Sequence, residues 1–141
     1  MSLLAKHENI LAYKFTGEKR TVLKSDLNAI IRTLESAGHT VFCAFQQETL
    51  FQQHHYSAKQ IMDSSLPHLR AADILLAYIK SPEKSEGMLL EIGYAYALKK
   101  PIYVALKQGI VTHFITAMAA QVIKFTSHKN LQTQLSSLSS P

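Results

Sequence analysis

The sequence predicts an α/β domain whose parallel sheet of about five strands is covered by helices on both faces. Three observations predict it. Short apolar runs alternate along the chain with longer amphipathic ones, the rhythm of strand and helix in turn. Two of the short runs, 73–79 and 101–106, are almost continuously apolar, as strands covered on both faces are. A length of 141 residues, 47% of them hydrophobic, suits one domain with a substantial core. The expected architecture is a single doubly wound domain spanning 1–141, flavodoxin-like or Rossmann-like, its serine-rich tail fraying from about 136. No internal repeat or long linker divides it.

Each element has its own justification. "NILAYKF" (9–15) reads as the first strand. Leu23, Leu27, Ile30, Ile31 and Leu34 then mark one face of a helix that stops at Gly38. "HTVFCAF" (39–45) is the second strand, and "QQETLFQQHHY" (46–56) reads as a polar loop. Ser57 and Gln60 form a capping box that opens the next helix, which Pro67 must kink or divide. The strand at 73–79 follows, then a helix after Gly87, then a strand in "PIYVALK". "AQVIKFT" (120–126) supplies the fifth strand, and Leu131, Leu135 and Leu138 suggest a last helix.

Composition limits the function classes. The formal charge of +5 is carried by scattered lysines and arginines with no basic run or aromatic-studded strand, so a nucleic-acid surface is not expected. No apolar stretch is long enough to span a bilayer, and the start of the chain lacks the pattern of a secretory signal, so a cytoplasmic protein without membrane contact is expected. Cys43, the single cysteine, rules out an intrachain disulfide and reads as a buried structural thiol. His54 and His55 point in different directions on a loop and have no acid or thiol at ligand spacing, so no metal is expected.

In a doubly wound sheet, ligands sit beyond the carboxyl ends of the strands where the strand order reverses. Residues 13–20, the loop after Phe45 and residues 79–87 all reach that edge. One helical turn past the last of these stands Glu91, the only charged residue between Gly87 and Lys99. Burying an unpaired carboxylate is costly, so this acid is paired, solvated in a cleft, or used. Ser85 and the free amides at the helix start suit an anion or a ribose hydroxyl, and Gly87 admits a ligand close to the backbone. A carboxylate beside a ribose can attack the anomeric carbon. An acid early in a helix also complements its dipole, and the residues alone leave both readings open.

Residues 71–106 resemble the core of the nucleoside 2-deoxyribosyltransferase family. That family includes transferases exchanging bases between deoxynucleosides and N-glycosidases hydrolysing nucleoside monophosphates. The matching residues are Asp73, Ser85, Gly87, Glu91, Gly93, Ala95 and Pro101. The resemblance implies that Glu91 is the nucleophile at C1′ of the sugar, with Ser85 and Gly87 holding phosphate or sugar oxygens. It implies that Tyr13 positions the substrate and that Gly17 and Arg20 contact the base or a 5′-phosphate. A guanidinium fork at Arg20 suits a phosphate. The family's second catalytic Asp, about eight residues before the strand-opening Asp, corresponds to Ser65 here; Asp63, two positions further away, is the candidate replacement.

The resemblance further implies a homo-oligomer, a dimer or larger, in which Thr116 offers its hydroxyl to a neighbour's phosphate. No cofactor is implied. The expected activity is hydrolysis of a nucleoside 5′-monophosphate. The alternatives are base exchange between deoxynucleosides, a nucleotide-binding module lacking competent chemistry, and a flavodoxin-like interaction domain.

Overall fold

Period-two alternation within uniformly apolar strands sends side chains to both faces of a sheet. In the computed structural model, which describes residues 8–13, 17–83 and 85–138, that sheet has five parallel strands. They are β1 (Glu8–Tyr13), β2 (Thr40–Phe42), β3 (Ile74–Ile79), β4 (Ile102–Lys107) and β5 (Gln121–Phe125), in the order β2-β1-β3-β4-β5. Leu11, Leu76, Tyr78, Tyr103, Ile123 and Phe125 pack against α1 (Arg20–Ser36) and α6 (His128–Ser136). On the opposite face Ile10, Leu75, Ile79, Val104 and Leu106 meet α3 (Ala58–Ala71) and α4 (Glu86–Ala97). The expected fold class is the observed one.

Several boundaries differ from the sequence reading. Lys14 and Phe15, expected in the first strand, lie outside the described residues, as do residues 139–141 of the tail. The second strand ends at Phe42, because the segment read as a loop winds into a 3-10 turn (Ala44–Gln47) and a short helix, α2 (Glu48–Gln53). Phe45 and Phe51 explain the difference: both rings are buried, so the backbone between them must meet its hydrogen bonds internally. A second short helix, α5 (Phe114–Met118), precedes β5.

In α3 the capping box forms as expected: Ser57 Oγ accepts from the Gln60 amide at 3.1 Å, and the Ser57 amide donates to Gln60 Oε1 at 2.8 Å. Pro67 does not divide α3. It removes the donor that would have met the Asp63 carbonyl, and the Ser64 and Ser65 hydroxyls both donate back to the Ile61 carbonyl. Asp73 is structural. Its carboxylate accepts from the Glu8 amide at 2.9 Å, tying β1 to β3 at the amino end of the sheet.

Candidate active site

Strand order reverses between β1 and β3, whose carboxyl ends align with Tyr13 opposite Tyr78. A cavity of about 530 Å³ opens there, walled by Tyr13, Ala44, residues 58–65 of α3 and residues 85–91 at the start of α4. It is mostly apolar, and its polar groups converge from three elements, as in small-molecule sites.

Glu91 faces this cavity with no ion pair or hydrogen bond among the described residues. Burial alone pushes its carboxyl up to about 7, well above the ordinary glutamate range. Its place follows from helix geometry: side chains lean toward the helix amino terminus, so a residue one turn in points back to the mouth. Of the three possibilities for this acid, no described residue pairs it, and a carboxylate titrating near neutrality in a cavity is suited to chemistry.

The helix start completes that wall. Ser85 caps α4, its Oγ accepting from the Met88 amide at 3.4 Å and leaving the hydroxyl proton for a ligand. A Cβ placed on Gly87 would meet nothing within 4 Å, so the space above its backbone is open to an occupant. Glu86 and Gly87, which open this twelve-residue helix and line the same mouth, have amides with no carbonyl of their own helix to meet.

Tyr13 forms the opposite wall, its ring edge-on to Phe45 at 5.5 Å. Burial first, then the nearby charges of Cys43, Glu48 and Glu91, raise its hydroxyl well above the usual tyrosine range. It therefore stays a neutral donor. Cys43 is buried as expected, and burial pushes its thiol up to about 12, which disqualifies it as a nucleophile.

Asp63 lies on the cavity rim, half exposed, its carboxylate 2.6 Å from Lys59 Nζ. Ser65 lines the same wall but is buried. Three expected residues lie away from this lining. Arg20 is engaged by Glu48, Nη1 to Oε1 at 2.9 Å, with its guanidinium 5.7 Å above the Phe45 ring. Gly17, at φ +78°, is pressed against the Glu83 side chain. Thr116, on α5, is hydrogen-bonded through its Oγ1 to Thr112 just before that helix. Glu48 escaped the sequence reading, which treated its segment as a loop; an acid opening the short run before Phe51 was the one available signal. Among the described residues no three His, Cys, Asp or Glu gather as a metal site, and no helix is long and apolar enough to cross a membrane.

A family model described as nucleoside 2-deoxyribosyltransferase matches residues 13–131. No curated protein sequence matches the chain. Among solved structures, the chain is similar to a 2-deoxyribosyltransferase from Bacillus psychrosaccharolyticus, at 24% identity and a TM-score of 0.68, with 91% of this chain and 95% of that one covered. It is similar at the same TM-score to a CMP N-glycosidase from Clostridium botulinum, at 19% identity, covering 91% and 97% of the two chains. A conserved protein from Enterococcus faecalis follows at 15% identity and a TM-score of 0.65, with 93% and 98% covered. At these identities the structural likeness speaks for the fold.

Proposed function

Because the chain belongs to the nucleoside 2-deoxyribosyltransferase family, we propose that it cleaves the N-glycosidic bond of a nucleoside 5′-monophosphate by retaining double displacement through Glu91. Membership makes it an enzyme of the transferase and N-glycosidase type, acting on nucleosides or nucleotides. The observation that carries the finer reading is Glu91 itself, a carboxylate with no partner among the described residues, in a cavity walled by the amino end of a helix. In the cytoplasm, at neutral pH, a large fraction of it is ionised and ready to attack.

The Glu91 carboxylate attacks C1′, the C1′–N bond breaks, and the departing base takes a proton from solvent. The resulting glycosyl ester is opened by water at C1′, which frees the sugar phosphate and restores the carboxylate. Asp63, held by Lys59 at the rim, suits the second step, accepting the proton of the incoming water. Ser85, the free amides of α4 and Gly87 hold the phosphate or sugar oxygens. Tyr13 donates to the substrate from the opposite wall.

One observation favours base exchange between unphosphorylated deoxynucleosides instead: Glu48 already offsets the Arg20 charge. The test is base release from a panel of nucleosides and their 5′-monophosphates, with and without an acceptor base. Release from a monophosphate without acceptor supports hydrolysis, and exchange only with acceptor supports transfer. Arg20→Ala separates the substrates: the hydrolase reading expects KM to rise about tenfold for monophosphates and little for nucleosides, and equal effects would remove Arg20 from phosphate binding.

The active form is a homo-oligomer, a dimer or larger, with Thr116 directed to a neighbour's phosphate. Supporting this, α4 is apolar on its solvent side as well as its core side, with Leu90 62% and Tyr96 56% exposed, and Phe114 on α5 is 80% exposed. Tyr96→Asp combined with Phe114→Asp should reduce the mass measured by light scattering to that of one chain. An unchanged mass would place the contact elsewhere.

A further inference from the structure

On the α1/α6 face of the sheet, opposite the α3 and α4 walls of the Glu91 cavity, six side chains form a polar network that the chemistry above does not use. Lys80, just past β3, donates to Asp26 Oδ2 on α1 at 2.7 Å and lies 3.3 Å from Glu18 Oε2 in the segment before α1. Tyr78 donates to the same Asp26 oxygen at 3.0 Å, and the Ser81 hydroxyl donates to Glu18. His128, at the start of α6, faces the other Asp26 oxygen at 3.9 Å. The carboxylates of Glu18 and Asp26 are largely covered, so their charges need the partner that Lys80 supplies.

The network joins the two loops that frame the site. Glu18 belongs to the loop leaving β1 next to Tyr13; Lys80 and Ser81 begin the loop that ends at Ser85. Gly17 against the Glu83 side chain is a second contact between the same loops: a Cβ there would come within 3.2 Å of the Glu83 carboxyl carbon. Tyr78 is also the strand neighbour of Tyr13, so the network is continuous with the site wall.

We infer that Lys80 is a positioning residue: by bridging Asp26 and Glu18 it clamps the loop after β1 to the loop after β3, setting the distance between Tyr13 and Ser85 across the substrate. The inference rests on the cavity being the substrate site, but the clamp has a readout that needs no substrate. Hydrogen exchange should speed up in residues 17–20 and 81–83 of Lys80→Met, with α3 unaffected, and Glu18→Gln should give a smaller effect at the same places. Lys80→Arg, which keeps a cation between the two carboxylates, should restore slow exchange.

With a substrate from the panel, Lys80→Met should raise KM about tenfold while kcat changes by less than about threefold, the pattern of weakened ground-state positioning. Acceleration across the whole chain in both Lys80→Met and Glu18→Gln would reduce the network to general stability and overturn the inference. So would unchanged exchange in the two loops, or an equal fall in kcat. If no substrate turns over, the proposed activity fails, and the exchange data still decide the clamp.

Discussion

Glu91→Gln should eliminate turnover and, at pH 8, raise the melting temperature. Removing the nucleophile of a double displacement is expected to cost at least about 10³-fold in kcat, with binding of the nucleotide retained because the amide keeps the shape. The stability effect follows from linkage. In the folded chain the Glu91 carboxyl is pushed up to about 7 by burial, above the value near 4.5 expected once unfolded. The native state therefore binds this proton more tightly than the unfolded one. The stability this confers is fully present below the unfolded value and is lost as pH rises through the folded one. At about 1.4 kcal/mol per pH unit, ionised Glu91 costs the native state on the order of 3 kcal/mol at pH 8. Glutamine carries no such cost, so the variant should melt several degrees higher at pH 8, with most of the gain gone at pH 5. In the wild type, kcat/KM should rise with pH through about 7 as the carboxylate forms. A temperature difference independent of pH, or retained turnover, would remove Glu91 from the role.

Gly87→Ala should also separate stability from activity. Glycine in a helix costs roughly 0.5–1 kcal/mol relative to alanine, and the added methyl would meet nothing within 4 Å, so the variant should be as stable as the wild type or slightly more so. The same methyl would stand in the mouth between Ser85 and Glu91, where substrate oxygens are proposed to lie. A rise in KM of tenfold or more is expected, measured by initial rates beside a thermal melt. Unaltered KM would mean that the substrate passes elsewhere. Both substitutions place the site among the regions where a protein forgoes stability for function.

How much of the site could be read beforehand depended on the range of the interactions that make it. Glu91, Ser85 and Gly87 lie on one stretch of helix, so their spacing alone brought them to one mouth, and the lack of any other charge between Gly87 and Lys99 marked the acid. Asp63 and Ser65 share a helix with Pro67, and which of them met the cavity depended on a local bend. The structure brings both to its wall, Asp63 at the rim with Lys59 and Ser65 buried. Arg20 was visible as a cation near the right edge, yet its partner Glu48 lay in a segment read as a loop. The helix there exists because two buried phenylalanines anchor it, not because its polar residues show a periodicity.

By itself, then, the sequence determined the five strands, their coverage on both faces, the capping box at Ser57 and the isolated acid at the ligand edge. These are set by backbone periods of two and 3.6 residues and by composition over short windows. Only the tertiary structure decided that Arg20 is held by Glu48, that Lys80 reaches Asp26 and Glu18, and that Glu91 has no partner among the described residues. Those outcomes depend on which loops meet in space, and side-chain pairs separated by 28 to 62 residues leave no local pattern in the chain.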